Sequence, residues 1–208
     1  MDTSLAGWSP FDEWRKTLFS EEGIVGSGSA TMEDLKIGKV DWFGSRVGMA
    51  RLDVTLSDTT GERKWIVNMK SHAVAALVVA RVDGEDLFVA VEQNRAAVGK
   101  KTTEIVAGLH EGGNFLSSVL QELVEEANIS LSESDLRFLG KAWPSTGACN
   151  EEVNFFFCRV EDYSPPVERT GNAQENESIR VKMCSFEELA GDGKFLMAWS
   201  LAKKKGLL

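Results

Sequence analysis

At 208 residues, 43% of them hydrophobic, the chain is long enough to bury a full core, as one domain with an appendage or as two small ones. A net charge of −9 and a pI near 4.9 exclude a nonspecific nucleic-acid binder, which needs a basic face. Three cysteines without CxxC spacing and only two histidines, His72 and His110, argue against a disulfide framework, a zinc site or a His-based metal centre.

The acidic N-terminal stretch has neither the basic n-region nor the apolar h-region of a secretory signal, and apolar runs such as 73–80 are too short to span a membrane. The expectation is a reduced, cytoplasmic protein. Ser9, Pro10 and Asp12 predict a helix start, with Ser9 as N-cap, Pro10 at the first helical position and Asp12 reaching back. Phe11, Trp14 and Leu18 form its buried side. A Gly/Ser-rich loop over 23–30 leads to strands over 35–42 and 46–56. In the second strand Ala50, Leu52, Val54 and Leu56 alternate with Arg51, Asp53 and Thr55. A turn cluster at 57–61 precedes a third strand over 64–70, with Trp65, Val67 and Met69 on one face. Three such strands are too few to be stable alone, so residues 1–70 are read as a small sheet subdomain and 71–208 as the main domain.

The continuous apolar run 74–80 predicts a central strand, and 87–92 returns from a tight turn as its hairpin partner. Arg95 ends that strand, where a surface ion pair is the plain reading; Lys100 and Lys101 add local positive charge. The stretch from Thr103 to Ile129 organises the rest. A short strand (Ile105, Val106, Ala107) runs into a loop punctuated by Gly108, Gly112 and Gly113. A helix then starts at Asn114, a good N-cap type, and stops at Asn128, which tolerates a left-handed conformation. Leu116, Val119, Leu120, Leu123, Val124 and Ala127 make its apolar stripe. Glu122, Glu125 and Glu126 are read on the opposite face, where like charges cost about 0.2–0.5 kcal/mol per pair and crowd the negative end of the helix dipole. Spacing alone leaves two readings, a solvated acidic face or a site for a hard divalent cation such as Mg²⁺.

Further strands are predicted over 136–143 and 153–160, with Cys149 between them as a small apolar filler. The long polar segment 161–176 has the length at which loops are often functional. Ser185 to Glu188 reads as a capping box, and Asp192 as the cap of a last helix with Phe195, Leu196, Trp199, Leu201 and Ala202 facing inward. Lys203, Lys204 and Lys205 suit the negative end of that helix.

The central stretch resembles the Nudix box of Nudix hydrolases, G-x5-E-x7-R-E-U-x-E-E-x-G-U. Gly108, Glu122, Leu123, Glu125, Glu126 and Ile129 match it. Gln121 stands for the Arg that orients a metal-binding Glu, and Asn128 for the last Gly. The loop is one residue short, and no Glu fills the early acidic position. Three flanking segments resemble the ADP-ribose and ADP-sugar pyrophosphatase branch: Glu92-Gln93-Asn94-Arg95, the loop 144–152, and 173–181. The stretch 40–48 resembles its plant ADP-glucose pyrophosphatase type.

The resemblance implies an α/β fold, an α/β/α sandwich around a mixed sheet, preceded by a small antiparallel sheet that helps form a homodimer. It implies Mg²⁺, with Mn²⁺ the alternative, held by Glu122 and Glu126 with help from Glu125 and the Ala107 carbonyl. Glu175 would act as catalytic base, with Glu177 the alternate. Arg95, Glu151 and Gly108 would meet the substrate, a nucleoside diphosphate sugar cut to AMP and a sugar phosphate. Trp42 and Phe43 are candidates for stacking the base, with core or dimer packing the other reading. Two rivals are a degenerate fold that binds nucleotide sugars without cutting them and an enzyme for dinucleoside polyphosphates.

Overall fold

The structure is a computed structural model that describes residues 5–82, 84–110, 112–168, 170–172 and 178–208. The chain divides into two compact units, one of residues 1–72 with 145–152, the other of 73–144 with 153–208.

In the first unit, helix α1 (Ser9–Phe19) precedes strands β1 (Thr31–Phe43), β2 (Arg46–Asp58) and β3 (Gly61–Lys70), which form an antiparallel sheet in chain order. The alternation read in β2 is real: Ala50, Leu52 and Val54 are buried with Met69, Phe11 and Leu5 in one core. The N-cap of α1 is Trp8 rather than Ser9, and makes no side-chain cap bond. Ser9 is already helical and donates to Glu13 Oε1 (2.5 Å), while Asp12 Oδ2 accepts from Gly7 N (2.9 Å). The capping carboxylate thus acts on the turn before the helix, two residues from the Ser9 amide that the pattern assigned it.

The second unit holds a six-stranded mixed sheet in the order β7-β8-β4-β6-β5-β9. Its strands are β4 (Ala73–Val82), β5 (Glu85–Arg95), β6 (Lys100–Leu109), β7 (Arg137–Ala142), β8 (Val153–Val160) and β9 (Arg180–Cys184). β4 and β8 run parallel, and the other pairs are antiparallel. β4 is buried from Ala73 to Ala80 because both its faces are covered. Val74, Ala76, Val78 and Ala80 face helix α2 (Phe115–Ala127), in a core with Val119, Leu123 and Ala127. Ala75, Leu77 and Val79 join Phe195, Ala198 and Ala202 of α4 (Gly193–Lys204), beside the short helix α3 (Phe186–Leu189). This is the three-layer sandwich expected of the fold. Among the described residues no helix is long and apolar enough to cross a membrane.

Two features position the site. β6 is much longer than its apolar core suggested, and its pairing passes from β5 (Lys100–Ile105) to β4 (Val106–Leu109) along its length. At that handover carboxylates take backbone amides: Ile105 N donates to Asp192 Oδ2 (2.9 Å) and Ala107 N to Glu126 Oε2 (3.0 Å). β9, which has only one buried aliphatic position in its centre, was not anticipated as a strand; it adds to β5 as the sheet edge.

Candidate active site

Helix α2 is delimited as its ends predict. The Asn114 side chain accepts from Leu116 N (3.0 Å), and Asn128 adopts the left-handed conformation (φ 54°), its N–H turned back to Leu123 O and Val124 O. The stripe differs from the expected one at its edges. Val119, Leu123 and Ala127 are buried, Leu116 and Leu120 partly so, but Val124 is 47% exposed. Glu126 is the larger correction: it is not on the solvated face but only 2% exposed. It lies seven residues after Val119 and three after Leu123, on the same helical stripe. A buried carboxylate needs hydrogen-bond donors, and the Ala107 amide is one of them.

Glu122 lies against Gly108. A Cβ built on Gly108 would fall 1.9 Å from Glu122 Oε1 and 2.0 Å from its Cδ, so the carboxylate occupies the space a side chain would fill. One turn along, Gln121 Nε2 donates to Glu125 Oε1 (2.8 Å). Gln121 thus keeps a tether where the family's Arg would stand, but a neutral one, about half as strong as a charge-assisted bond. The last carbonyls of α2 are stapled by the segment after β8. Gly171 N donates to Glu125 O (2.9 Å), the Thr170 hydroxyl to Glu126 O, and Tyr163 Oη to Ala127 O (2.6 Å). These donors satisfy acceptors that a helix end otherwise leaves unpaired. Thr170 also pairs with Ile179 in an antiparallel bridge. Glu175 and Glu177 lie between those two residues, outside the described residues.

Arg95 is engaged within its own unit. Its Nε and Nη2 donate to Glu104 Oε1 (2.8 Å) and Oε2 (2.9 Å) in a fork. Glu104 also receives Lys194 Nζ (2.8 Å) and the Thr102 hydroxyl (2.6 Å). Burial raises the pKa of Glu104, but the bonds from Arg95, Lys194 and Thr102 overcome it and hold the group at about 2. Glu104 escaped notice in the sequence because a single acid in a Thr-rich strand carries no pattern.

Glu151 belongs to the first unit, in the loop 145–152. That loop runs beside β3 through an Asn68–Cys149 bridge. The Asn150 amide meets both Lys70 N (2.8 Å) and Lys70 O (3.0 Å), and Glu151 pairs with Lys70 Nζ (2.6 Å). Glu151 therefore has a lysine partner within its unit, whereas Gly108, Arg95, Glu122, Glu125 and Glu126 share the second. Trp42 and Phe43, each 57% exposed, are not core residues of this chain. Cys149 is partly buried and accepts a bond from Glu151 N (3.4 Å).

The strand–loop–helix unit thus turns two glutamates back onto β6, Glu122 onto Gly108 and Glu126 onto the Ala107 amide. No protein-family model matches the chain. It is similar to Nudix hydrolase 14, chloroplastic, of Arabidopsis thaliana, with 32% identity over 232 aligned positions that cover all of this chain and 74% of the relative. Its fold is similar to a crystal structure described as an ADP compounds hydrolase, with a TM-score of 0.61 and 17% identity, over 86% of this chain and 97% of that one. The chain belongs to the Nudix hydrolase family.

Proposed function

We propose that the chain hydrolyses the diphosphate bond of a nucleoside diphosphate sugar, of the ADP-ribose or ADP-glucose kind, to a nucleoside monophosphate and a sugar phosphate. The observation that carries this reading is the seating of two α2 carboxylates on β6, Glu122 over Gly108 and Glu126 on the Ala107 amide. The names of the two similar proteins, one a Nudix hydrolase and the other a hydrolase of ADP compounds, support it.

The donors Glu122, Glu125, Glu126 and the Ala107 carbonyl are hard oxygens, which suit Mg²⁺ or Mn²⁺. Among the described residues no group of three or more His, Cys, Asp or Glu side chains is placed to hold a metal ion. Mg²⁺ does not need one: it is usually held by one or two carboxylates, waters and the phosphates of the substrate. When bound, the cation neutralises charge on the diphosphate oxygens. The chain's own residues do the remainder. Glu122 and Glu126 are held by strand and helix together, so little reorganisation is needed on binding. Arg95 presents a guanidinium suited to phosphate oxygens, and Glu175 accepts the proton of the attacking water.

Two further parts belong to the proposal. Glu151 meets the substrate or metal-bound water, and the first unit forms a homodimer. The exposed Trp42, Phe43, Trp65 and Ile66 of its sheet support the second part, and light scattering tests it.

Phosphorus NMR of ADP-ribose, ADP-glucose and UDP-glucose with the protein and Mg²⁺ tests the main reading. Release of AMP or UMP is the expected result. Tight binding without product favours a second reading, a nucleotide-sugar binding protein. The neutral Gln121 tether in place of an Arg is the observation that motivates it.

A further inference from the structure

Helix α2 is closed at its C-terminus by two separate sets of bonds. The local set is the one its own end residues supply: the N–H groups of Asn128 and Ile129 turn back to Leu123 O and Val124 O. The next three carbonyls, of Glu125, Glu126 and Ala127, are met by Gly171 N (2.9 Å), the Thr170 hydroxyl and Tyr163 Oη (2.6 Å). These donors come from a segment 36 or more residues further along the chain. Glu126 is therefore gripped at both ends. Its side chain accepts from Ala107 N (3.0 Å) and its main-chain oxygen from Thr170. The residue is 2% exposed, so a lost donor is not replaced by bulk water. Thr170 is fixed in its turn. Its N–H donates to Ile179 O (2.9 Å) and its carbonyl accepts from Ile179 N (3.0 Å), and Ile179 is fully buried in the core that α2 shares.

We propose that Thr170 is a positioning residue for Glu126. Its hydroxyl fixes the peptide unit from which the carboxylate reaches β6, and so sets the angle at which that carboxylate serves a divalent cation. The inference rests on the reading of the chain as a cation-assisted diphosphate hydrolase. A carboxylate accepts at about four lone-pair sites, so the role holds with the other partners of Glu126 in place. Tyr163 makes the same kind of bond one residue further on, to a carbonyl whose side chain is only a methyl group. The two hydroxyls therefore separate support of the helix end from placement of the acid. Strand β6 carries its own reference, because Ile105 N also donates to a carboxylate, Asp192 Oδ2 (2.9 Å), that neither hydroxyl touches.

The test compares T170V, T170S and Y163F with the wild type, all as full-length protein. Valine keeps the branched shape and stiffness of threonine without the hydroxyl, and serine keeps the hydroxyl; T170A takes the place of T170V should that variant not fold. The first readout is amide hydrogen exchange by NMR, as the ratio of the Ala107 rate to the Ile105 rate. T170V raises that ratio about fivefold or more, while T170S and Y163F leave it within about twofold of wild type. General loss of stability speeds both amides alike, so an unchanged ratio in T170V, or an equal rise in Y163F, overturns the proposal. The second readout is Mn²⁺ binding followed by electron paramagnetic resonance without nucleotide. T170V weakens it about tenfold or more, as loss of a partner behind a metal ligand does, and T170S restores it to within about threefold. Wild-type affinity in T170V overturns the link to the cation. A wild type that binds no Mn²⁺ and cuts no nucleotide sugar defeats the hydrolase reading, and the exchange ratio still decides whether Thr170 places Glu126.

Discussion

Gly108→Ala separates the site from the fold. The new methyl would stand 1.9 Å from Glu122 Oε1. Ordinary contact is about 3.5 Å, so the oxygen must retreat by about 1.5 Å. The obstacle is the far end of a flexible side chain, not backbone, so the stability cost is an off-rotamer angle of about 0.5–1.5 kcal/mol. Gly108 lies in a strand outside the left-handed region, so alanine there also restricts the unfolded chain, a gain of about 0.4–1 kcal/mol. The two nearly cancel, and Tm should stay within about 4 °C of wild type. A misplacement of about 1 Å costs on the order of a hundredfold in rate, so kcat/KM should fall by that factor or more. Scanning calorimetry with and without Mg²⁺ adds a second readout. On the proposed reading saturating cation should raise the wild-type Tm, by about 2.7 kcal/mol of linkage at a hundred times Kd, and the variant should lose most of that rise. A G108A protein that keeps half its kcat/KM, or one that melts more than 10 °C early, refutes the reasoning.

Three further outcomes follow from the same contacts. Glu104 has its folded pKa lowered from 4.5 to about 2, so its stabilisation is full above pH 4.5 and is lost as pH falls toward 2. Urea unfolding at pH 6 and pH 3 should show the advantage of wild type over E104Q shrinking on acidification, within a ceiling of about 3 kcal/mol; a constant difference contradicts the ion-pair account. Tyr163 is the only tyrosine in the chain, and burial pushes its pKa up to about 12. Phenolate absorbance should stay flat through pH 10 in the folded protein and appear near 10 in urea. The matching stabilisation is present below pH 10 and lost as pH rises through 12, and Tyr163→Phe should cost about 1 kcal/mol by freeing Ala127 O. Asp192→Ala removes both the cap of α4 and the partner of Ile105 N, so about 2 kcal/mol or more should be lost in denaturant unfolding.

Much of this protein is written in local chemistry. Asn114 and Asn128 delimit α2 by capping and left-handed preferences that need no tertiary partner, and both positions hold in the structure. The unbroken apolar run of β4 announces a strand covered on both faces, and Ser185 and Asp192 open their helices as read. The family, too, is legible in the box residues.

What tertiary structure alone decided is where the charges go. Glu126 is three residues from Leu123 and shares its stripe, yet its burial needs tertiary donors, and the Ala107 amide that β6 offers is one of them. The Arg95–Glu104–Lys194 triad joins residues up to 99 positions apart, and no periodicity links them. The loop 145–152 joins the first unit through Asn150 and the backbone of Lys70, a pairing of amides that leaves no mark on hydrophobic pattern. Apolar spacing and end caps act over a few residues and can be read in order. The energy of a buried carboxylate depends on which donors reach it, and the assembled sheet alone sets that.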